Sequence, residues 1–173
     1  MIYVLTYPSF APSCAQQIAE FRARHEPLRA ALVPPHITLV FGVAEAYLPG
    51  TADLVEIATQ HRCALSVSFD SYVIEFDPFE KKHKVFLLCG AGREDLTSLH
   101  TQLYDGPHRA CLSIAHPFQP HMTVASYDRR EDAERVDVRH AIKLPIRAQI
   151  EALQIVRFAG GELTTLKTAP FLT

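Results

Sequence analysis

Two segments of this chain, "PPHITLVF" (34–41) and "QPHMTVAS" (119–126), share one build: proline, histidine, an apolar residue, threonine, then apolar residues. Such a run reads as a strand whose proline marks its beginning, where a missing N–H costs least. Side chains alternate along a strand, so His36 and Thr38 share one face while Ile37 and Leu39 share the other. His121 and Thr123 are set against Met122 and Val124 in the same way. Each segment therefore turns an apolar face to a core. To the other side it presents an imidazole and a hydroxyl about 7 Å apart along the strand.

The surroundings of the two segments repeat as well. Strand patterns fall at 2–7, 36–41, 64–76, 84–89, 121–127, 146–158 and 162–169, with helical patterns at about 13–25, 52–61, 93–104 and 130–140. Ser13 and Asp128 are the expected N-caps. A strand, a helix, a histidine strand, a helix and a long strand ending in phenylalanine occur in 2–76 and again in 84–158. Tyr7 matches Cys89 at an offset of 82, His36 matches His121 at 85, and Phe76 matches Phe158 at 82. The expected fold is α+β. Residues 1–173 form a single two-lobed, pseudo-symmetric domain of antiparallel sheets with outer helices, and a central cleft receives equivalent groups from each half. The two histidines then meet.

Charge narrows what enters that cleft. A net charge of −2 over 173 residues gives no broad attraction for nucleic-acid phosphates, so DNA is not an expected partner and a phosphate must be held locally. The start, "MIYVLTYPSF", has no positive stretch before its apolar residues, and no run reaches the roughly 18 apolar residues of a membrane span. A cytoplasmic monomer without a membrane partner is expected. Cys14, Cys63, Cys89 and Cys111 form no CxxC pair, and reduced, mostly buried thiols are the expectation.

Two imidazoles from opposite halves suit phosphodiester chemistry, because histidine titrates near neutrality and one ring can act as base while the other acts as acid. Threonine hydroxyls can donate to the non-bridging oxygens. These four groups require no metal and no cofactor, and the sequence has neither an acidic ligand cluster nor an HxH pair. One such motif alone is more simply a buried, hydrogen-bonded histidine. Two copies at matching places in a repeat reverse that weighting.

On "HITLVF" and "PFQPHMTVAS" the chain resembles the 2H phosphoesterase family, which includes 2′-5′ RNA ligases and cyclic phosphodiesterases, and the likeness in strand order covers nearly the whole chain. The resemblance implies that His36 and His121 are the acid/base pair and that Thr38 and Thr123 clamp the phosphate. It also implies a 2′,3′-cyclic phosphate or 2′-5′ phosphodiester substrate, at an RNA end or in a small nucleotide. Members often carry a basic residue five positions after the second histidine, where this chain has Ser126. The rival reading is a module that binds a cyclic phosphate or RNA terminus without turnover.

Other features carry less. In "GAGRED" (90–95) the third glycine position of a dinucleotide loop is Asp95, whose charge opposes a pyrophosphate. The run "KKHK" (81–84) reads as a solvated turn between strands. His116 precedes its strand and lacks a threonine partner. Tyr7, Tyr127 and Arg157 sit at strand ends near the cleft, where stacking on a base and ordinary packing explain them equally well.

Overall fold

Buried side chains recur at Ile2, Val4 and Leu5 in β1 (Ile2–Thr6) and at Val85, Leu87 and Cys89 in β5 (Lys82–Cys89), and each of these strands lies inside a sheet. The computed structural model describes residues 1–172. Between β1 and β5 come β2 (Ser9–Phe10), α1 (Pro12–His25), α2 (Pro27–Leu32), β3 (Ile37–Val43), α3 (Leu48–Gln60) and β4 (Leu65–Asp77). After β5 follow α4 (Arg93–Leu103), β6 (His121–Tyr127), α5 (Arg130–Glu134), α6 (Val138–Ala141), β7 (Ile146–Ile150), β8 (Ala152–Ala159) and β9 (Glu162–Pro170). The fold is α+β with two antiparallel sheets, ordered β3-β1-β8-β9 and β2-β7-β4-β5-β6.

The sheets correspond strand by strand. β1 lies between β3 and β8, and β5 lies between β6 and β4. β4 precedes β5 in the chain while β8 follows both, so the long third strand of each sheet comes from the other half of the sequence. The halves are intertwined. Helix α1 likewise packs on β6 and α4 on β3. One apolar core, including Leu39, Phe69, Leu87 and Met122, runs through both lobes. A second, small cluster of Leu5, Val33 and Val156, with Tyr3 and Tyr7 against it, lies on the opposite face of the four-stranded sheet.

Several local expectations are corrected. Segment 146–158 is not one strand but β7 and β8, broken at Glu151 and placed in different sheets. The burial phase explains the break: Ile146, Ala148 and Ile150 are buried at even positions, Leu153 and Ile155 at odd ones. Segment 130–140 divides into α5 and α6, α3 begins at Leu48, and α2 is an additional helix opened by Pro27. Ser13 lies inside α1, which starts at Pro12 with Ala11 as N-cap, proline being favoured at a first helical position. Arg129 caps α5, and the Asp128 carboxylate pairs with Lys82 instead. Of the four cysteines, all free, only Cys89 is buried, while Cys63 and Cys111 are exposed. No helix among the described residues is long and apolar enough to cross a membrane.

"GAGRED" has a structural explanation. Gly92 is the N-cap of α4 at φ 81°, and a Cβ there would come within 2.7 Å of the Ser66 carbonyl oxygen. Gly92→Ala is expected to destabilise the protein by about 1–3 kcal/mol, read as a lower urea midpoint at unchanged m-value. An unaltered midpoint contradicts this role for the glycine.

Candidate active site

The alternation expected of the two histidine strands is present. Ile37, Leu39, Met122 and Val124 are fully buried, while His36, Thr38, His121 and Thr123 are half-buried. His36 stands one residue before β3, and His121 is the first residue of β6. Thr38 pairs with Leu5, His121 with Leu88 and Thr123 with Phe86.

Each strand is then interrupted at the same point. From Thr38 to Val40 β3 advances two residues while β1 advances one, from Leu5 to Val4, which leaves Leu39 without a register partner. From Thr123 to Ala125 β6 does the same against Phe86 and Val85, leaving Val124 over. A bulge bends its strand and re-aims the neighbouring side chains. Here it follows immediately on both His-x-Thr triplets. The Leu39 carbonyl accepts a hydrogen bond of 2.7 Å from Nδ1 of buried His100. The adjacent apolar pairs Leu39-Val40 and Val124-Ala125, which break strict alternation, are the trace of these bulges in the sequence.

The two imidazoles are held alike. Nδ1 of His36 lies 2.8 Å from the Pro34 carbonyl oxygen and Nδ1 of His121 lies 2.7 Å from that of Gln119, each two residues upstream across a proline. A carbonyl only accepts, so both Nδ1 atoms carry the proton and both Nε2 atoms are the unprotonated nitrogens of the neutral rings. Burial lowers the His36 pKa to about 4, against the opposing Pro34 bond, and the charges of Arg29, Arg22 and His121 add to the lowering. Burial also lowers that of His121, opposed by the Gln119 bond and Asp77 and reinforced by Lys84 and Arg29. Both rings are therefore neutral in the free protein at pH 7. β3 and β6 touch across the seam between the sheets, and a charge on either lobe is felt at the other.

The sequence reading missed a network of charged side chains beside this pair. Lys84 is buried, with its ammonium 2.5 Å from Asp77 Oδ2 and 2.9 Å from Glu80 Oε1. Glu80 in turn accepts two bonds from Arg29 Nη1, at 2.7 and 2.9 Å. Behind them Arg22 and Glu26 form a buried pair at 2.5 Å. The missed signal was parity: Val85 and Leu87 face the core, so Lys84 and Phe86 face the side of His121 and Thr123, and Lys84 lies directly opposite Ser126. Only part of "KKHK" is a solvated turn.

The remaining candidates are placed as follows. The Tyr7 ring is 6.3 Å from that of His36 and the Phe86 ring 4.0 Å from that of His121. Tyr127 is instead engaged by His25, 2.5 Å from hydroxyl to Nδ1, and Arg157 by Glu45 at 3.2 Å. His116 is exposed and lies edge-on to Phe79. Among the described residues no group of three or more His, Cys, Asp or Glu side chains is arranged to hold a metal ion.

Solved structures with the same fold include E. coli LigT complexed with 3′-AMP, at 19% identity and a TM-score of 0.62 over 99% of this chain and 98% of that one. TT0787 of Thermus thermophilus matches at 21% identity and a TM-score of 0.65, covering 97% of each chain. Usb1 of Kluyveromyces marxianus matches at 14% identity and a TM-score of 0.62, over 95% of this chain and 97% of that one. No curated protein sequence matches the chain. The model of the 2′-5′ RNA ligase superfamily matches residues 10–162, spanning both histidine strands, and the chain belongs to that superfamily.

Proposed function

We propose that the protein is a metal-independent phosphoesterase acting on a 2′,3′-cyclic phosphate or 2′-5′ phosphodiester of an RNA end or small nucleotide. His36 and His121 are its acid/base pair, and Thr38 and Thr123 hold the non-bridging oxygens. In hydrolysis one Nε2 takes a proton from water as the new P–O bond forms, and the other ring, protonated, delivers a proton to the departing ribose oxygen. With a ribose hydroxyl in place of water, the base ring takes its proton as it attacks the cyclic phosphate and the acid ring protonates the ring oxygen that departs, so the same pair joins ends. Residues 2–76 and 84–158 are read as the repeated halves of one two-lobed domain. The protein is taken to work as a cytoplasmic monomer without DNA or a membrane partner.

The observation that carries this reading is the matched tethering of the two imidazoles, each fixed through Nδ1 to the carbonyl two residues upstream. It leaves two equivalent Nε2 atoms, one from each lobe, for proton transfer. The nucleotide 3′-AMP in the LigT complex supports a nucleotide substrate.

The pH dependence tests it. Both histidine pKa values lie below the ordinary 6.5 in the free protein, so raising the pH depletes the protonated acid. Above neutrality kcat/KM on a 2′,3′-cyclic nucleotide is expected to fall about tenfold per pH unit, with its optimum below 6.5. The kcat optimum is expected at higher pH, because a bound phosphate anion favours imidazolium. A kcat/KM that rises from pH 6 to pH 8 contradicts the assignment.

A further inference from the structure

The threonine hydroxyls bring no positive charge to an anionic substrate, and of the two imidazoles only the ring acting as acid carries one. Three further cations are near, their charges felt at the two rings. Arg22 is spent in its buried pair with Glu26, and Lys84 is buried between two carboxylates. Arg29 is different. It uses a single nitrogen, Nη1, for both of its bonds to Glu80, and its buried Nε has no partner. It sits on α2, seven residues before His36, and Glu80 links it to Lys84 on the His121 face of β5, so the bridge spans from one lobe to the other. Its charge is felt by both histidines.

Resting on the phosphoesterase reading, we propose that Arg29 is a phosphate ligand of the cleft and that Glu80 is its internal competitor. In the free protein the Glu80 carboxylate occupies Nη1. A phosphate bracketed by the histidines displaces that carboxylate from the guanidinium, whose planar fork matches two phosphate oxygens. Glu80 keeps Lys84 as a partner when it gives up Arg29, so no carboxylate is stranded. The substrate recognised this way is anionic at its reacting phosphorus.

The alternative is a strap that ties α2 to the β4–β5 hairpin, and the sign of two substitutions separates the two roles. Inorganic phosphate is titrated into the full chain at pH 7, with binding read from the imidazole resonances of His36 and His121. Arg29→Gln is expected to weaken phosphate about tenfold or more, and Glu80→Gln to strengthen it by about threefold or more. Arg29→Lys, which keeps the charge and loses the fork, is expected between Arg29→Gln and the wild type. Both partners are partly exposed, so the variants are expected to fold, and their unfolding midpoints check this. A strap broken from either side gives both glutamine variants the same direction of change, and that result overturns the proposal. Wild-type binding with Arg29→Gln unchanged overturns the proposal alone. Wild type without any phosphate response at the two rings overturns it together with the phosphoesterase reading.

Discussion

His36→Ala and His121→Ala are each expected to lower kcat on a 2′,3′-cyclic nucleotide by about 10²–10⁴-fold while product-like ligands bind with far smaller change. Each ring moves a proton only in the transition state, so its loss falls on kcat. The two act as a unit, and the double variant is expected to be scarcely slower than the worse single one. The threonines separate from them in kinetics. A hydroxyl on a non-bridging oxygen holds substrate and transition state alike, so Thr38→Ala and Thr123→Ala are expected to raise KM and lower kcat more modestly. Steady-state kinetics on the four variants, with ligand affinity measured separately, checks both halves of this expectation. Histidine variants with wild-type turnover contradict it.

The largest expected effect on stability lies behind the site. Arg22 and Glu26 are paired with side chains only 3% and 1% exposed. Burial raises the Glu26 pKa against the pull of Arg22, Arg29 and Lys84, and Glu26 Oε2 has no hydrogen-bond partner. Arg22→Met strands that carboxylate and is expected to cost about 3–5 kcal/mol at neutral pH. The sign with pH follows from linkage. A carboxyl whose folded pKa is raised binds its proton more tightly folded than unfolded, so acidification through that range favours the folded state. The deficit of Arg22→Met is therefore expected to shrink toward about pH 5, measured by urea unfolding at both pH values. Arg22→Met combined with Glu26→Leu is expected to recover much of the loss, because the stranded charge is gone. A deficit that grows on acidification contradicts this view of the pair.

How much of this was legible in the sequence depends on whether the signal was local. The faces of His36, Thr38, His121 and Thr123 follow from period-two alternation, and the structure places all four as that alternation requires. The superfamily and the α+β two-sheet fold follow from two motifs and the strand order around them. The exchange of β4 and β8 between sheets did not, because alternation says which face is buried and not which neighbour is bonded. The break at Glu151 is written as a phase change, which the apolar residues recurring from Ile146 to Phe158 mask. Arg29, Glu80 and Lys84 escaped for another reason. They lie on α2, at the β4–β5 hairpin and on β5, and only tertiary packing joins them. Lys84 in particular sits in a basic run, where composition suggests solvent and strand register dictates burial.

The most direct measurement is phosphorus NMR of a 2′,3′-cyclic nucleotide incubated with the wild-type protein in EDTA at about pH 6, near the expected acid-side optimum. The expected result is steady replacement of the cyclic phosphate signal by a phosphomonoester signal, at the same rate with and without chelator. A cyclic phosphate that binds and stays intact contradicts the enzyme and leaves a binding module, and turnover abolished by EDTA and restored by zinc or manganese contradicts the two-histidine mechanism.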